Sequence, residues 1–273
     1  MAEKITKIVL DPGHGKTGNP AKVNGQWVLK DFYEGTNNFE AVQILKEELE
    51  KYENVEIVVT RKSINDDPDL AQRGEMGRDA DLFFSWHSNA VGSTNAYGVS
   101  SFSSVRRNGR KICDDISKVV VDVFKANGAP NCYYRGYSQR KWSDSLPMVD
   151  YYGVLRNSTL ENPTKAVQGK EPIDSKCKQS IIIEHGFHTN PAEVAVIADP
   201  AKLRKIVEAE AKVIADYFGL KKKEDPKPAD NYYYFAVLSA NKNKKYAEED
   251  VAKAKKLGFA DAYVKYARRD GAL

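Results

Sequence analysis

Lys7-Ile8-Val9-Leu10-Asp11-Pro12-Gly13-His14-Gly15 opens with a short apolar run and closes on a proline–glycine stop. A run of this length bounded by turn residues predicts a buried strand. The pattern returns at 55–60 (Val-Glu-Ile-Val-Val-Thr), 81–86 (Asp-Leu-Phe-Phe-Ser-Trp), 97–102 and 180–184 (Ser-Ile-Ile-Ile-Glu). Amphipathic helices are predicted between these strands. In the first, Phe39, Val42, Leu45, Leu49 and Tyr52 recur at helical spacing after Asn37 or Asn38 as cap. The second spans Gly109 to Asn127, with Ile112, Ile116, Val119, Val123 and Phe124 on one face and Gly128 as a stop. The last starts at Asp199 with Pro200 in its first turn. It turns Leu203, Ile206, Val207, Val213, Ile214 and Tyr217 inward and ends at Gly219.

Strands alternating with helices predict an α/β fold over residues 1–220, a mainly parallel open sheet flanked by helices. The stretch from Tyr133 to Lys178 breaks the alternation and reads as a long surface excursion. Residues 221–231 are charged, carry two prolines and read as a linker. Residues 232–273 predict a small C-terminal βαβ unit: an aromatic strand from Tyr232 to Ser239, a helix from about Tyr246 to Leu257 and a strand from Ala262 to Tyr266. So small a unit is expected to dimerise or dock.

The 273 residues are 41% hydrophobic and 29% charged, which excludes disordered and fibrous classes. No apolar run approaches the ~18–20 residues that span a bilayer, so no membrane partner is expected. Met1-Ala2-Glu3-Lys4 lacks the core of a secretory signal. Synthesis in the cytoplasm is therefore expected, with release or export needed for action outside. Cys113, Cys132 and Cys177 form no Cys-x-x-Cys pair and read as free thiols, with one disulfide an open alternative. The net charge of +4 is carried by the tail, where residues 221–273 hold 13 Lys/Arg against 8 Asp/Glu. A polyanionic partner such as a Gram-positive wall or nucleic acid fits that imbalance, as does a plain solvated surface.

All four histidines follow predicted strands: His14 the first, His87 the third, His185 and His188 the last. Ligands of open parallel sheets bind beyond the carboxyl ends of strands. His14 and His87 offer two imidazoles to a catalytic zinc, whose third ligand is commonly a carboxylate. Glu34, just before the first helix, suits that place better than Glu40, which solvation explains. A hydrolytic site also needs a base. Glu184 ends the apolar Ile181-Ile182-Ile183 run, where desolvation raises a carboxyl pKa, although an acid at a strand end can also simply cap a turn.

The segments Leu10–Gly15, Glu34 at helix one, Val59-Thr60-Arg61, Leu70-Ala71-Gln72-Arg73, Asp81–Ala90, Gly153–Asn157 and Ile183–Pro191 occur in one order. Together, over about residues 5–219, they resemble the zinc-dependent N-acetylmuramoyl-L-alanine amidases, a family of bacterial autolysins and phage endolysins. The resemblance implies Zn2+ on His14, Glu34 and His87, with Glu184 as catalytic acid/base. It implies peptidoglycan as substrate, cut between N-acetylmuramic acid and L-alanine. Asn89, Arg156, His185 and His188 are carried as substrate-binding candidates. The family usually has a small residue at position 185, so the two extra histidines are open to substrate contact, a second metal or a structural role, the last preferred. Ser158 to Gln179 is longer than usual. A phage endolysin or autolysin of a Gram-positive bacterium is the expected setting. The rivals are a zinc peptidase cutting within the stem peptide and a non-catalytic wall-binding protein.

Tyr133, Tyr134, Arg135, Tyr137, Arg140 and Trp142 form an aromatic and basic run suited to sugars and carboxylates. Similar residues bind single strands, but the metal pattern argues against a nucleic-acid partner. Tyr234-Phe235-Ala236-Val237, the helix from Ala247 to Lys256 and Gly258–Val264 resemble half of a sporulation-related repeat, a small fold that binds peptidoglycan. That similarity implies wall binding, contact with anionic wall polymers, and a homodimer through self-pairing.

Overall fold

A computed structural model describes residues 5–224 and, beyond them, residues 248, 249, 251, 252 and 255. The chain divides into two compact units, Met1–Lys223 and Glu224–Leu273. In the second unit Glu248, Glu249, Val251, Ala252 and Lys255 are helical. Its two expected strands, and residues 225–231 of the expected linker, lie outside the described residues.

In chain order the first unit contains β1 (Thr6–Pro12), β2 (Lys22–Val23), β3 (Gln26–Trp27), α1 (Glu34–Leu49), β4 (Val55–Val59), α2 (Leu70–Glu75), β5 (Leu82–Asn89) and β6 (Val99–Ser103). It continues with α3 (Arg110–Ala126), β7 (Tyr134–Ser138), β8 (Lys141–Ser143), β9 (Leu146–Asp150), α4 (Gly153–Thr159), α5 (Pro163–Val167), β10 (Gln179–Phe187), α6 (Pro191–Ile197) and α7 (Pro200–Phe218). Six strands form one sheet in the order β4-β1-β5-β10-β6-β7. The pairings β4–β1, β1–β5, β5–β10 and β6–β7 are parallel, and β10–β6 is antiparallel. The sheet is thus mainly parallel, as the alternation of elements predicts.

Side chains alternate across each strand. Ile8, Leu10, Leu82, Phe84, Trp86, Ile181 and Ile183 enter the larger core with Leu45, Ile116, Ile206 and Ile214 of α1, α3 and α7. Val9, Phe83 and Ile182 enter a smaller core with Val154 and Leu155 of α4. Both faces are covered, which explains why the strands read as continuous apolar runs.

Several boundaries differ from expectation. Helix α1 begins at Glu34 with Tyr33 as N-cap, so Asn37 and Asn38 are not caps; both are buried within the helix. On α3 the buried stripe runs through Val120 and Val121, and Val119 and Val123 are half-buried at its edge. Helix α7 has the expected Asp199 cap and a left-handed Gly219. The stretch from Tyr133 to Lys178 is not a bare excursion: β7 joins the sheet, β8 and β9 form a hairpin, and α4 buries Leu155 completely. The aromatic and basic run is split accordingly. Tyr134 and Tyr137 bond inward to Ser101 and Ser103, whereas Arg140 and Trp142 lie on or beside the hairpin. The three cysteines are buried free thiols. Among the described residues no helix is long and apolar enough to cross a membrane.

Candidate active site

The carboxyl ends of β1, β5 and β10 bring the predicted residues to one place. His14 follows β1 with φ +60. That left-handed conformation costs an L residue roughly 1 kcal/mol, which tertiary contacts must offset. Gly13 has no substitute here, because a Cβ would lie 2.1 Å from the His87 ring. The His14 and His87 rings meet edge to face, 5.0 Å between centroids.

Glu34 lies between them. Its Oε2 is 3.2 Å from His14 Nε2, and its Oε1 is 3.0 Å from His87 Nδ1. One ligand atom from each residue falls within 4.8 Å of the other two. The carboxylate is buried, and α1 and its surroundings hold it. Asn19 Nδ2 donates to Oε2 at 2.5 Å, while Ser88 N and Asn38 Nδ2 donate to Oε1 at 3.0 and 3.2 Å. Burial acts to raise its pKa, but the His14 and His87 contacts outweigh burial and leave it well below the ordinary range. His14 is shifted the other way: burial lowers it, and Glu34 more than compensates. Two imidazoles and an ionised carboxylate converging on one point form a donor set that fits a divalent metal.

Glu184 stands opposite His87 in the β5–β10 register. Paired residues share a face of the sheet, about 4.8 Å apart. The Glu184 side chain is half-buried. Burial, and then the nearby Glu34 carboxylate, push its carboxyl up to about 8. A carboxyl group raised in this way, beside a metal-type cluster, is suited to proton transfer.

His185 points to the opposite face, because side chains alternate along β10. It has no exposed surface and stacks on Trp86 at 3.7 Å. Its Nε2 lies 2.5 Å from Glu210 Oε1, and Trp86 Nε1 donates to Glu210 Oε2 at 3.1 Å. Its Nδ1 donates to the His87 carbonyl at 2.8 Å, since a carbonyl only accepts. Beyond Glu184 the register with β5 slips by one residue, and Gly186 takes φ +70. The His185 ring thus reaches a carbonyl at the point where the backbone ladder is interrupted. The expected substrate contact of His185 is corrected to a structural one.

His188 is also fully buried. Its Nδ1 is 2.9 Å from Ser88 Oγ and 3.9 Å from Glu34 Oε2, and its ring stacks on Phe32. It is a wall behind the carboxylate, not a substrate contact. Asn89 is half-buried, caps its own turn through Ala90 N, and accepts at its carbonyl from His188 N. Arg156 donates to the Asp150 and Tyr151 carbonyls and stacks beneath Trp142 at 4.6 Å, so it braces the β8–β9 hairpin.

Several supporting residues were not singled out by sequence. Asp11 accepts from Arg73 Nε and Nη2 at 2.7 Å each, and from Ser85 and Thr60 at 2.6 Å. This buried network fixes the end of β1 just before His14. Glu210 interrupts the apolar stripe Leu203–Ile206–Val207–Ala211–Ile214 of α7. An acid at a core position of an amphipathic helix is a signal that sequence periodicity carries.

The profile of the N-acetylmuramoyl-L-alanine amidase family matches residues 8–216. The germination-specific N-acetylmuramoyl-L-alanine amidase of Bacillus subtilis is 25% identical over 232 residues, 77% of this chain and 79% of that protein. The N-acetylmuramoyl-L-alanine amidase CwlM of Bacillus licheniformis is 24% identical over 268 residues, 96% of this chain and 85% of that protein. The catalytic domain of CwlV, an N-acetylmuramoyl-L-alanine amidase from Paenibacillus polymyxa, shares the fold. Its TM-score is 0.53 at 20% identity, covering 80% of this chain and all of that one. With the family match spanning both the sheet and every residue of the cluster at its carboxyl edge, the chain belongs to the N-acetylmuramoyl-L-alanine amidases, hydrolases of peptidoglycan.

Proposed function

We propose that His14 Nε2, Glu34 and His87 Nδ1 hold a catalytic zinc, and that Glu184 is the residue that moves the proton. The observation that carries this reading is the convergence of the three ligand atoms within 4.8 Å, with Glu184 paired across the sheet to one of them. When bound, zinc supplies Lewis-acid polarisation of the lactyl carbonyl and acidifies water.

The chain's own residues account for the rest. Glu184 accepts a proton from the attacking water as the water oxygen bonds to the lactyl carbonyl carbon. It then returns a proton to the alanine nitrogen as the C–N bond breaks, leaving a lactyl carboxylate and a free amine. Because Glu34 raises Glu184, any cation gripped by Glu34 weakens Glu184's hold on its proton and readies it as a base. Ser88 N, Asn19 and Asn38 keep Glu34 aimed at the two imidazoles.

Mass spectrometry of digested cell wall tests the bond: a new N-terminal alanine opposite an intact lactyl group is expected. Glu184→Gln tests the role: about 10²–10⁴-fold lower turnover is expected, with zinc content unchanged. Near-normal turnover of that variant would refute the assignment. The basic segment 221–273 suits retention on anionic wall polymers, and loss of wall pull-down on its removal is the matching test. Lysin and autolysin settings both use this same bond cleavage and differ in how the enzyme reaches the wall.

A further inference from the structure

The segments Val59-Thr60-Arg61 and Leu70-Ala71-Gln72-Arg73 carry part of the family resemblance, and the proton-transfer scheme uses neither. Thr60 and Arg73, one from each, meet on Asp11. Arg73, on α2, donates to it through Nε and Nη2, one nitrogen to each carboxylate oxygen, at 2.7 Å. Thr60 Oγ1 adds a bond to Oδ1 and Ser85 Oγ one to Oδ2, at 2.6 Å each. Asp11 and Arg73 are both buried. Burial acts to raise the Asp11 carboxyl, and the Arg73 guanidinium outweighs it, so the carboxylate stays ionised.

A buried ion pair loses in desolvation much of what it gains in attraction, and an apolar pair of similar volume is often as stable. What a guanidinium fork on a carboxylate supplies is direction. Three residues further on, His14 stands at φ +60. A residue other than glycine stays left-handed only where its surroundings over-determine it. The chain is gripped on both sides of His14. Before it, Asp11 is held by Arg73, Thr60 and Ser85, Gly13 N donates to Trp86 O at 3.1 Å, and Gly13 O accepts from Asn38 Nδ2 at 3.1 Å. After it, Gly15 O accepts from Gly18 N at 2.9 Å, and Gly35 packs so closely that a Cβ there would lie 1.7 Å from that oxygen. The Asp11 grip is the strongest of these, because charge-assisted bonds are about twice as strong as neutral ones. With Asp11 released, His14 relaxes towards negative φ. Its imidazole then swings away from Glu34 Oε2, which is 3.2 Å from Nε2.

We propose that Arg73 is a positioning residue: acting through Asp11, it holds His14 in the left-handed conformation that brings its imidazole to Glu34. The conformation is a property of the metal-free chain. Its consequence for zinc rests on the reading of His14, Glu34 and His87 as ligands.

The test uses the full-length protein and the double variant Asp11→Asn/Arg73→Gln, which removes both charges and keeps side chains that can still hydrogen-bond. In nuclear Overhauser spectra of the metal-stripped protein, a residue with positive φ gives a strong cross-peak between its own amide and α protons. In the double variant that peak is expected to weaken at His14. It is expected to persist at Asn24 and Asp31, left-handed at φ +50 and +60 in the β2–β3 turn and after β3. Zinc affinity, read by calorimetric titration, is expected to fall about 10–100-fold. Arg73→Lys keeps the charge and loses the fork, and a loss on the order of tenfold is expected for it. It carries the same readings if the double variant does not fold. An unchanged His14 peak, or wild-type zinc affinity despite a weakened one, would overturn the proposal. So would equal weakening at His14, Asn24 and Asp31, the mark of a general loss of structure. If the His14 peak alone weakens while wild type binds no zinc, the positioning of His14 stands and the metal reading fails.

Discussion

Glu184 and His185 are adjacent in sequence and face opposite sides of one strand, and the two surroundings differ in kind. On the His185 side every polar atom is paired: Nε2 with Glu210, Nδ1 with the His87 carbonyl, Trp86 Nε1 with Glu210. On the Glu184 side the Glu34 carboxylate and two imidazoles converge, and Glu184 stands close enough to be raised by the Glu34 charge. A closed, satisfied cluster of His and Glu stabilises a fold. A cluster of imidazoles and a carboxylate that reaches solvent is a donor set that fits a cation. The contrast explains why His185 is structural, whereas His14 and His87 with Glu34 form a donor set that fits a metal.

The largest expected effect lies on the open side. His87→Ala should lower bound zinc to background and abolish turnover while the fold, read by far-ultraviolet circular dichroism, persists. Retained activity in that variant would erase the distinction between the two sides. On the closed side, Glu210→Ala leaves His185 and the Trp86 indole without their buried partner. A loss of about 3–5 kcal/mol in denaturant unfolding is expected. The double variant His185→Phe/Glu210→Leu should regain part of that stability, because two apolar groups replace two buried polar ones. Its turnover should stay reduced, because the His87 carbonyl loses its donor. Full recovery of turnover would show that this bond does not position His87.

The third effect is a pH dependence. In the metal-free protein the folded-state pKa of Glu184 stands at about 8, against an ordinary value of 4.5. The folded state therefore holds this proton more tightly than the unfolded chain. That contribution is fully present below about pH 4.5 and is lost as pH rises through about 8. Thermal unfolding in chelator should show Glu184→Gln gaining on wild type between pH 5 and pH 9. A constant difference across that range would mean that Glu184 is not raised.

Much of this was legible in the sequence, for a physical reason. Strands covered on both faces must be apolar throughout, so β1, β5 and β10 announce themselves, and residues just past their ends lie at the site. The positions of His14, Glu34, His87 and Glu184 follow from that rule together with the family resemblance. The hairpin was illegible because β8 and β9 are short, half-exposed and carry little apolar periodicity. Arg156 entered as a candidate through the segment Gly153–Asn157; on α4 its stacking on Trp142 and its two carbonyl contacts make it a brace. His185 was readable in principle: strand alternation places it on the face opposite Glu184, and Glu210 waits there on the buried stripe of α7.

Calorimetric titration of zinc into the metal-stripped, full-length protein tests the central claim most directly. The account predicts one tightly bound zinc per chain for wild type and for Glu184→Gln, and none for Glu34→Ala. Zinc binding by Glu34→Ala with wild-type affinity, or no binding by wild type, would contradict it.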